Sequence, residues 1–331
     1  MPSSAFTISG IKVSAFSASA DLASEFGKDF GQTQDAPADT KNDIKLRIKL
    51  SRPPSAIRQK LEKLLPFKNG LRLRDFGERR LISYPEGAVL LYDYRNESAC
   101  LWTEHYHLAR ELSYLCALSR AGILLDLKGL HRIHASAVQL NGHTAIICGP
   151  SGSGKSTLAL LLALDHNASL YSDDFPLTDT CGKIFPFPAR PAIGQDNYLA
   201  ARSLNSRILE RRKYGRKLLL EQTSLRSPEP ALADCLIVLE TKRAEKAELR
   251  PASKTAALAE LMKHLVLGLG LPQIAELLLS ASPRQNIQLA LIALSRAGAA
   301  WRLASNARCY RLRQGASPEQ AAGLVATLLS K

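Results

Sequence analysis

A phosphate-binding loop is the strongest chemical signal in the sequence. The pattern G-x-x-x-x-G-K-[ST] and the position after it are occupied by Gly149, Pro150, Ser151, Gly152, Ser153, Gly154, Lys155, Ser156 and Thr157. Glycines let successive backbone amides of such a loop converge on an anion, and a following helix N-terminus adds partial positive charge. In this pattern Lys155 reaches the β- and γ-phosphates of a nucleotide, and the Ser156 hydroxyl binds Mg²⁺.

Two adjacent carboxylates form a second group of candidate residues. Asp173 and Asp174 directly follow a short predicted strand, residues 167–172. Carboxylates at the carboxyl end of a strand in an α/β sheet share the crevice in which ligands bind. Phosphoryl transfer needs one carboxylate to position or deprotonate the acceptor and another to hold Mg²⁺. The structural alternative is an Asp-Asp turn that only caps the loop.

Turn chemistry places a histidine beside the phosphate-binding loop. Two β-type runs, residues 133–140 and 143–148, flank the pair Asn141-Gly142, which is the preferred sequence for a two-residue type I′ turn. This turn fixes the register, in which His134 faces Gly149 at about 5 Å. We therefore expect the His134 imidazole at the phosphate site. The structural alternative is a histidine that only packs the end of the strand.

The elements around these residues predict an α/β fold. Residues 144–148 are short, apolar and rich in β-formers, which is typical of a buried strand. Residues 157–164 are apolar on all sides and rich in helix formers, which indicates a buried helix. The loop therefore lies between a strand and a helix, as its chemistry requires. Residues 232–239 and 307–313 predict further strands.

The first third of the chain predicts a unit without a chemical motif of its own. Residues 8–16 read as a strand, and residues 43–50 alternate strictly, as in a half-buried strand. Residues 71–94 predict a β-meander, and residues 106–127 predict a helix. Because 331 residues suffice for two domains, we divide the chain into a smaller α+β N-terminal domain, residues 1–128, and a second domain, residues 129–331.

Charge and cysteine usage limit the setting and the partners. The formal net charge is +14, which suggests an anionic partner such as a nucleotide, an acidic protein, nucleic acid or a membrane surface. The six cysteines show no C-x-x-C pair, so neither a zinc site nor a disulfide framework is indicated, and a reducing cytoplasm is the simplest setting. No apolar run is long enough to span a membrane. We expect no specific nucleic-acid binding, and we leave homo-oligomerisation open.

The most basic run of the chain is residues 207–217. Such a run is usually a solvated face or a mobile loop. The sharper interpretation is that it contacts an acidic substrate or an anionic product.

Taken together, His134, the loop at residues 149–157 and Asp173-Asp174 resemble the HPr kinase/phosphorylase family. The resemblance is closer to its divergent HPr-kinase-like relatives, whose substrates are mostly other proteins, peptides or small molecules. It covers roughly residue 130 to the end of the sequence, including the stretch 249–253 that enters a helix. It implies a PEP-carboxykinase-like P-loop kinase domain for residues 129–331.

The resemblance also implies roles for the candidate residues. His134 would contact the transferred phosphate or orient the catalytic carboxylate, Asp173 would act as the base, and Asp174 would help to hold Mg²⁺. The implied activity is transfer of the γ-phosphate of ATP to a hydroxyl of an acceptor protein, peptide or small molecule. One departure concerns Thr157, because true HPr kinases carry Glu directly after the loop Ser. This difference puts the metal arrangement, the reverse phosphorylase activity and HPr itself as substrate in doubt.

Two other classes of protein share parts of this pattern. The loop also suits an ABC-type transport ATPase, and residues 236–240 imitate a Walker B strand without its Asp. The L-S-G-G-Q signature that completes an ABC-type site is absent from the sequence. A nucleotide-binding module without catalysis is the third option, against which the intact Lys155, Ser156 and Asp173 argue.

Overall fold

The computed structural model describes residues 3–19, 21–22, 30, 43–194, 197, 199, 206–211, 215–220, 227–242, 244–271, 273–278 and 283–331. The chain divides into two compact units. The first comprises Met1–Leu124, Glu210–Gly215 and Pro272–Leu289, and the second comprises Leu125–Leu209, Arg216–Leu271 and Ala290–Lys331. The two short segments of the first unit carry no boundary signal in the sequence.

One eight-stranded sheet forms most of the first unit. Its strands are β1 (Ser3–Ile8), β2 (Ile11–Ser17), β3 (Ile44–Lys49), β4 (Leu65–Pro66), β5 (Arg72–Phe76), β6 (Arg79–Tyr84), β7 (Ala88–Asp93) and β8 (Ser98–Thr103). They lie in the order β1-β2-β3-β8-β7-β6-β5-β4. The helices of this part of the chain are α1 (Ser55–Leu61) and α2 (Tyr106–Leu127).

Most predictions for the first third are confirmed. β3 buries every second residue, as strict alternation requires, and α2 has the predicted bounds. The predicted meander is present as β5, β6 and β7, and β8 adds a strand whose apolar residues do not alternate. The strand predicted for residues 8–16 is present as β2, but it begins at Ile11 instead of Ile8. Ser9 and Gly10 both have positive φ, 47° and 87°, so the chain turns there and forms the β1–β2 hairpin.

The chain after α2 alternates between strands and helices. The strands are β9 (His131–Arg132), β10 (Ser136–Leu140), β11 (His143–Cys148), β12 (Ser169–Ser172), β13 (Leu177–Thr178), β14 (Lys183–Phe185), β15 (Ala192–Gly194), β16 (Ser206–Arg211), β17 (Gly215–Leu220), β18 (Ala231–Leu232), β19 (Cys235–Leu239), β20 (Glu248–Pro251) and β21 (Arg308–Arg313). The helices are α3 (Lys155–Asp165), α4 (Lys254–Leu261), α5 (Ala275–Leu278), α6 (Pro283–Asn306) and α7 (Pro318–Leu329). A π-helical turn, Met262–Val266, follows α4 directly.

The central sheet of the second unit is mixed. Its strand order is β12-β10-β11-β19-β21-β20, and smaller sheets have the orders β18-β14-β13-β9 and β15-β17-β16. β10 is antiparallel to both of its neighbours, β11 and β12. β11 is parallel to β19, which is parallel to β21. Four strands, β11, β12, β19 and β21, therefore run in one direction, and the fold is mixed α/β.

Apolar side chains cover both faces of this sheet. Ile147 and Ile237 point to one face, where they pack with Leu158 of α3 and Val325 of α7. Ile146 and Leu236, one residue earlier in each strand, point to the other face and pack with α4 and the second half of α6. This alternation is the period of two that a strand imposes. The result is a three-layer arrangement in which α3, the helix after the phosphate-binding loop, packs in a hydrophobic core.

The Asn141-Gly142 turn forms as predicted. Asn141 and Gly142 have φ values of 52° and 84°, and the register Leu140↔His143 through Ser136↔Ile147 is the predicted one. The ladder ends at Ser136, however, so the predicted pairing of His134 with Gly149 does not form. The backbone amide of His134 instead donates to the carbonyl of His264 at 3.2 Å, because the chain leaves the sheet between β9 and β10.

The basic run lies partly on strands. Residues 207–211 belong to β16 and residues 215–217 to β17. Residues 212–214 and most side chains of the run fall outside the described residues, so its predicted anion contact stays a prediction.

The six cysteines are free thiols.

In the described part of the chain, no helix combines the length and the apolar character that crossing a membrane requires.

A buried ion pair connects α2, β9 and α6 within the second unit. Asp126 receives hydrogen bonds from Arg296 at 2.5 and 2.9 Å and contacts His131 Nδ1 at 2.8 Å. The side chains of Asp126 and His131 are almost fully buried. Burial alone would raise the pKa of Asp126, but the hydrogen bonds from His131 and Arg296 outweigh it and lower the pKa.

We expect Asp126→Ala to lower the free energy of unfolding by about 3–5 kcal/mol, because it leaves the Arg296 charge buried without its partner. Urea denaturation measures the change. Glu104→Ala is the control, since Glu104 pairs with Arg52 and both side chains are more than half exposed; it should cost at most about 1 kcal/mol. Equal losses in the two variants would contradict the prediction.

The same pair makes stability sensitive to acid. Because folding lowers the pKa of Asp126 from its ordinary value of 3.8, its contribution to stability is complete above that pH and disappears as pH falls through the folded pKa. The stability difference between the wild type and Asp126→Ala should therefore shrink below about pH 4. A difference that stays constant from pH 6 to pH 3 would rule out the ionised pair as its cause.

Candidate functional site

The candidate residues meet at one edge of the central sheet. Because β11, β12, β19 and β21 run in one direction, the residues that follow them lie along a common carboxyl edge. These residues are the loop after β11, Asp173-Asp174 after β12, Glu240 after β19 and Gln314 after β21. In open α/β sheets, ligands bind at this edge.

The phosphate-binding loop is held closely from behind. Gly154 has a φ of 91°, and a Cβ at this position would lie 2.8 Å from Nε2 of Gln314. That same Nε2 donates to the Ser153 carbonyl at 3.1 Å. The positive φ therefore favours glycine at position 154, and a larger residue there would displace the Gln314 amide. No sequence motif singled out Gln314, because its role depends on the position of β21 in the sheet.

Lys155 begins α3 and is buried. Its Nζ donates to the carbonyls of Gly149 and Pro150 at 2.9 and 3.0 Å, so the ammonium lies over the loop. Gly154, the N-cap of α3, has no side chain to occupy the first-turn amides. The arrangement combines a fixed cation with a helix N-terminus, which is the chemistry of an anion site.

Two hydroxyl residues follow Lys155. Ser156 is partly exposed in the first turn of α3, and Thr157 Oγ1 accepts a hydrogen bond from Asn197 Nδ2 at 2.9 Å. Thr157, which stands where the resembling family has Glu, is thus engaged within the protein.

The two aspartates differ in their surroundings. Asp173 is buried, its Oδ2 accepts from the Ala192 amide at 3.3 Å, and its carbonyl accepts from the Ser136 hydroxyl at 2.5 Å. Asp174 is more exposed, and its Oδ1 lies 3.0 Å from Nδ1 of His134. The structure therefore fixes Asp173 from two sides and leaves Asp174 facing His134.

His134 lies in this group although it is not paired with Gly149. The distance to Asp174 suits an ion pair with a protonated ring, but neither ring nitrogen of His134 has the alignment of a hydrogen bond in the described structure. Gly270 packs directly on the ring, since a Cβ there would come within 2.5 Å of Nε2 of His134. The ring is consequently confined by a backbone that tolerates only glycine.

His264 is a second buried histidine of the site. It lies on the π-helical turn, and its ring centroid is 5.6 Å from that of His134. Burial is the main cause of the lowered pKa of His264, and the charges of His134 and Lys155 act in the same direction. The ring therefore stays neutral at pH 7. Nothing in the sequence pattern signals this π-helical turn at Met262–Val266, a conformation that often marks functional positions.

Two further side chains at this edge, Glu240 and Cys148, are not available for chemistry. Glu240, the residue that imitates a Walker B position, is bound by Nε of Arg313 at 2.8 Å. Burial raises the pKa of Cys148, the residue before the loop, to about 12, so this thiol is protonated and is no nucleophile.

The oxygen donors suit a hard divalent cation. Ser156 and Asp174 are both partly exposed, and Mg²⁺ is commonly held by one or two protein oxygens together with substrate phosphates and water. Within the described ranges, no group of three or more His, Cys, Asp or Glu side chains could hold a metal ion.

We expect Gly270→Ala to displace the His134 ring. The left-handed conformation alone costs about 1–2 kcal/mol, which Gly129→Ala, at φ 76° with open space around it, measures as the control. Gly270→Ala should cost about 1–3 kcal/mol more, because its Cβ overlaps the ring. Adding His134→Ala should remove this excess in urea denaturation. Equal costs for the two glycine variants would show that the ring is not confined.

The chain was also compared with known proteins. No protein-family model matches it, and no curated protein matches it. The likeness to HPr-kinase-like proteins therefore stays a prediction from the residues at the edge of the sheet.

Proposed function

We propose that the protein is an ATP-dependent phosphotransferase that moves the γ-phosphate of ATP to a hydroxyl of a protein, a peptide or a small molecule. One observation carries the proposal. The loop at residues 149–157 and the pair Asp173-Asp174 leave strands that run in one direction, so an anion cradle and two carboxylates share one edge. We further assign the second unit to the PEP-carboxykinase-like P-loop kinases, and the protein to the cytoplasm.

Nucleotide binding is the first part of the proposed mechanism. The amides of residues 149–154 and the N-terminus of α3 surround the phosphates. The Lys155 ammonium exchanges its bonds to the Gly149 and Pro150 carbonyls for phosphate oxygens. Ser156 and Asp174 would hold Mg²⁺, which would supply positive charge next to the phosphates.

Phosphoryl transfer is the second part. The Asp173 carboxylate accepts the proton of the acceptor hydroxyl, whose oxygen forms a bond to the γ-phosphorus while the bond to the leaving ADP oxygen breaks. The Ala192 amide and the Ser136 hydroxyl hold Asp173 in place. His134 orients Asp174 from 3.0 Å and, when protonated, adds positive charge next to the transferred group.

His264 completes this arrangement as a positioning residue. Its carbonyl holds the backbone of His134, and its neutral ring packs near the ring of His134 without adding a charge to the site. The π-helical turn thus fixes where the proposed phosphate contact stands.

The first test concerns Lys155. Lys155→Ala should abolish binding of Mg-ATP in isothermal titration calorimetry, because the variant loses the cation of the cradle. Lys128→Ala, at an exposed lysine of the same unit, should bind as the wild type does. Unchanged ATP affinity in Lys155→Ala would refute nucleotide binding at this loop.

The second test separates a kinase from an ATPase. Purified protein is incubated with γ-labelled ATP and the products of neighbouring genes, and a labelled acceptor supports the kinase. Asp173→Asn should keep ATP binding and reduce labelling on the order of 10²- to 10⁴-fold, the usual contribution of a general base. Release of labelled phosphate without any labelled acceptor would favour an ATPase instead.

Asp174→Asn is the matched variant for the second test. It should weaken Mg-ATP binding as well as transfer, because Asp174 is assigned to the metal. If Asp173→Asn loses nucleotide binding and Asp174→Asn keeps it, the two roles have to be exchanged.

A further inference from the structure

Helix α6 carries a second apolar face that no part of its own chain covers in the described structure. Leu291, Leu294 and Trp301 are 60%, 69% and 55% exposed. Gly298 lies between them, with open space where a Cβ would be. The intervals of three, four and three residues place all four on one side of a helix. We call these four residues the α6 seam.

The opposite side of the same helix is already used. Ala299, Ala300 and Leu303 are buried in the core of the second unit, and Arg296 is paired with Asp126. An amphipathic helix of a single globular unit needs only one apolar stripe. A stripe of large exposed side chains on its outer side is typical of an interaction surface.

The spacing of the seam residues indicates which partner fits the seam. Ile287, 62% exposed, extends the apolar stripe by one turn before the seam. Within the seam the spacing reads the same in both directions, three, four and three, so the seam can pair with an identical seam that runs the opposite way. In that pairing Leu291 faces Trp301 of the other copy, and Leu294 faces Gly298. A two-fold interface requires a patch that is complementary to itself in this sense. We propose that the α6 seam binds a second copy of this chain in an antiparallel helix pair.

The side chains on the seam fit this pairing in size. Gly298 leaves a recess that Leu294 of the other copy fills, as a knob enters a hole in a helix pair. Ala290 and Ala297, which flank the seam, carry only methyl groups, so the two helices approach closely. Trp301 and Leu291 then cover each other at both ends of the contact.

Charge within the seam does not oppose the contact. Of the charged residues between positions 290 and 302, Arg296 is buried in its ion pair and Arg302 stacks on Trp301, 5.6 Å from the ring centroid. In the antiparallel pair Arg302 faces Ala290, so the two copies of Arg302 are far apart. The net charge of +14 repels two copies at longer range, and added salt screens this repulsion.

The size of the seam sets the strength of the dimer. The three large side chains of the seam, counted in both copies, would bury roughly 700 Å² of accessible surface in total. A standard stable interface buries about 1,200–2,000 Å². The dimer is therefore weak, with a dissociation constant on the order of micromolar, and it tightens as salt rises.

Sedimentation velocity of the full chain over a range of concentrations tests the dimer. The wild type should show a concentration-dependent dimer, and Leu294→Glu should weaken it by at least about tenfold, because a carboxylate enters an apolar contact. Leu294→Glu also lowers the net positive charge, so general repulsion cannot explain a loss. Leu232→Glu, at a leucine of similar exposure, 59%, should dimerise as the wild type does. A monomeric wild type at about 100 μM, or a dimer unaffected by Leu294→Glu, would overturn the proposal.

Disulfide trapping tests the orientation without relying on a destabilising change. Cys181, which is exposed, is first replaced by Ser, and Leu294→Cys and Gly298→Cys are prepared separately in this background. Under mild oxidation a mixture of the two variants should form a covalent dimer, whereas neither should do so efficiently alone. A covalent dimer of Leu294→Cys alone would show a parallel or shifted pairing and reject the antiparallel seam.

Discussion

The position of β10 between β11 and β12 is the constraint on which the candidate site depends. β10 is antiparallel to both neighbours, so it forces β11 and β12 to run in the same direction. The phosphate-binding loop and the two aspartates follow these strands, and they reach the same edge for that reason alone. Had β12 paired in the other orientation, Asp173 and Asp174 would lie at the far end of the sheet from Lys155.

The same edge concentrates buried polar groups, which are costly to desolvate unless they are held. Lys155 is satisfied by loop carbonyls, Asp173 by the Ala192 amide, and Glu240 by Arg313. His134 differs, because neither of its ring nitrogens has an aligned partner in the described structure. Unsatisfied buried groups in folded proteins often belong to sites of binding or chemistry, and His134 lies where the proposed mechanism places positive charge next to the transferred phosphate.

The sequence was sufficient to predict those parts of the fold that depend on neighbouring residues, such as turns and helix ends. The Asn141-Gly142 turn set a register that the structure reproduces from Ser136 to Ile147, and the periodicity of residues 106–127 marked the ends of α2. The position of His134 was not predictable in this way. The backbone hydrogen bond that draws it out of the ladder comes from His264, which is 130 residues away in the chain. The π-helical turn and the packing of Gly270 on His134 likewise depend on tertiary contacts that leave no periodic signal.

The order of strands in the central sheet affects how the chain can fold while it is being synthesised. β21 lies between β19 and β20, yet it follows both in the chain by more than fifty residues. β19 and β20 are therefore synthesised before the strand that lies between them, and the edges that β21 covers stay open until it is synthesised. Such non-local pairing is slow to form, and Gln314, which supports the phosphate-binding loop from behind, arrives directly after that strand. The phosphate-binding motif is therefore synthesised completely well before the residues that support its folded form.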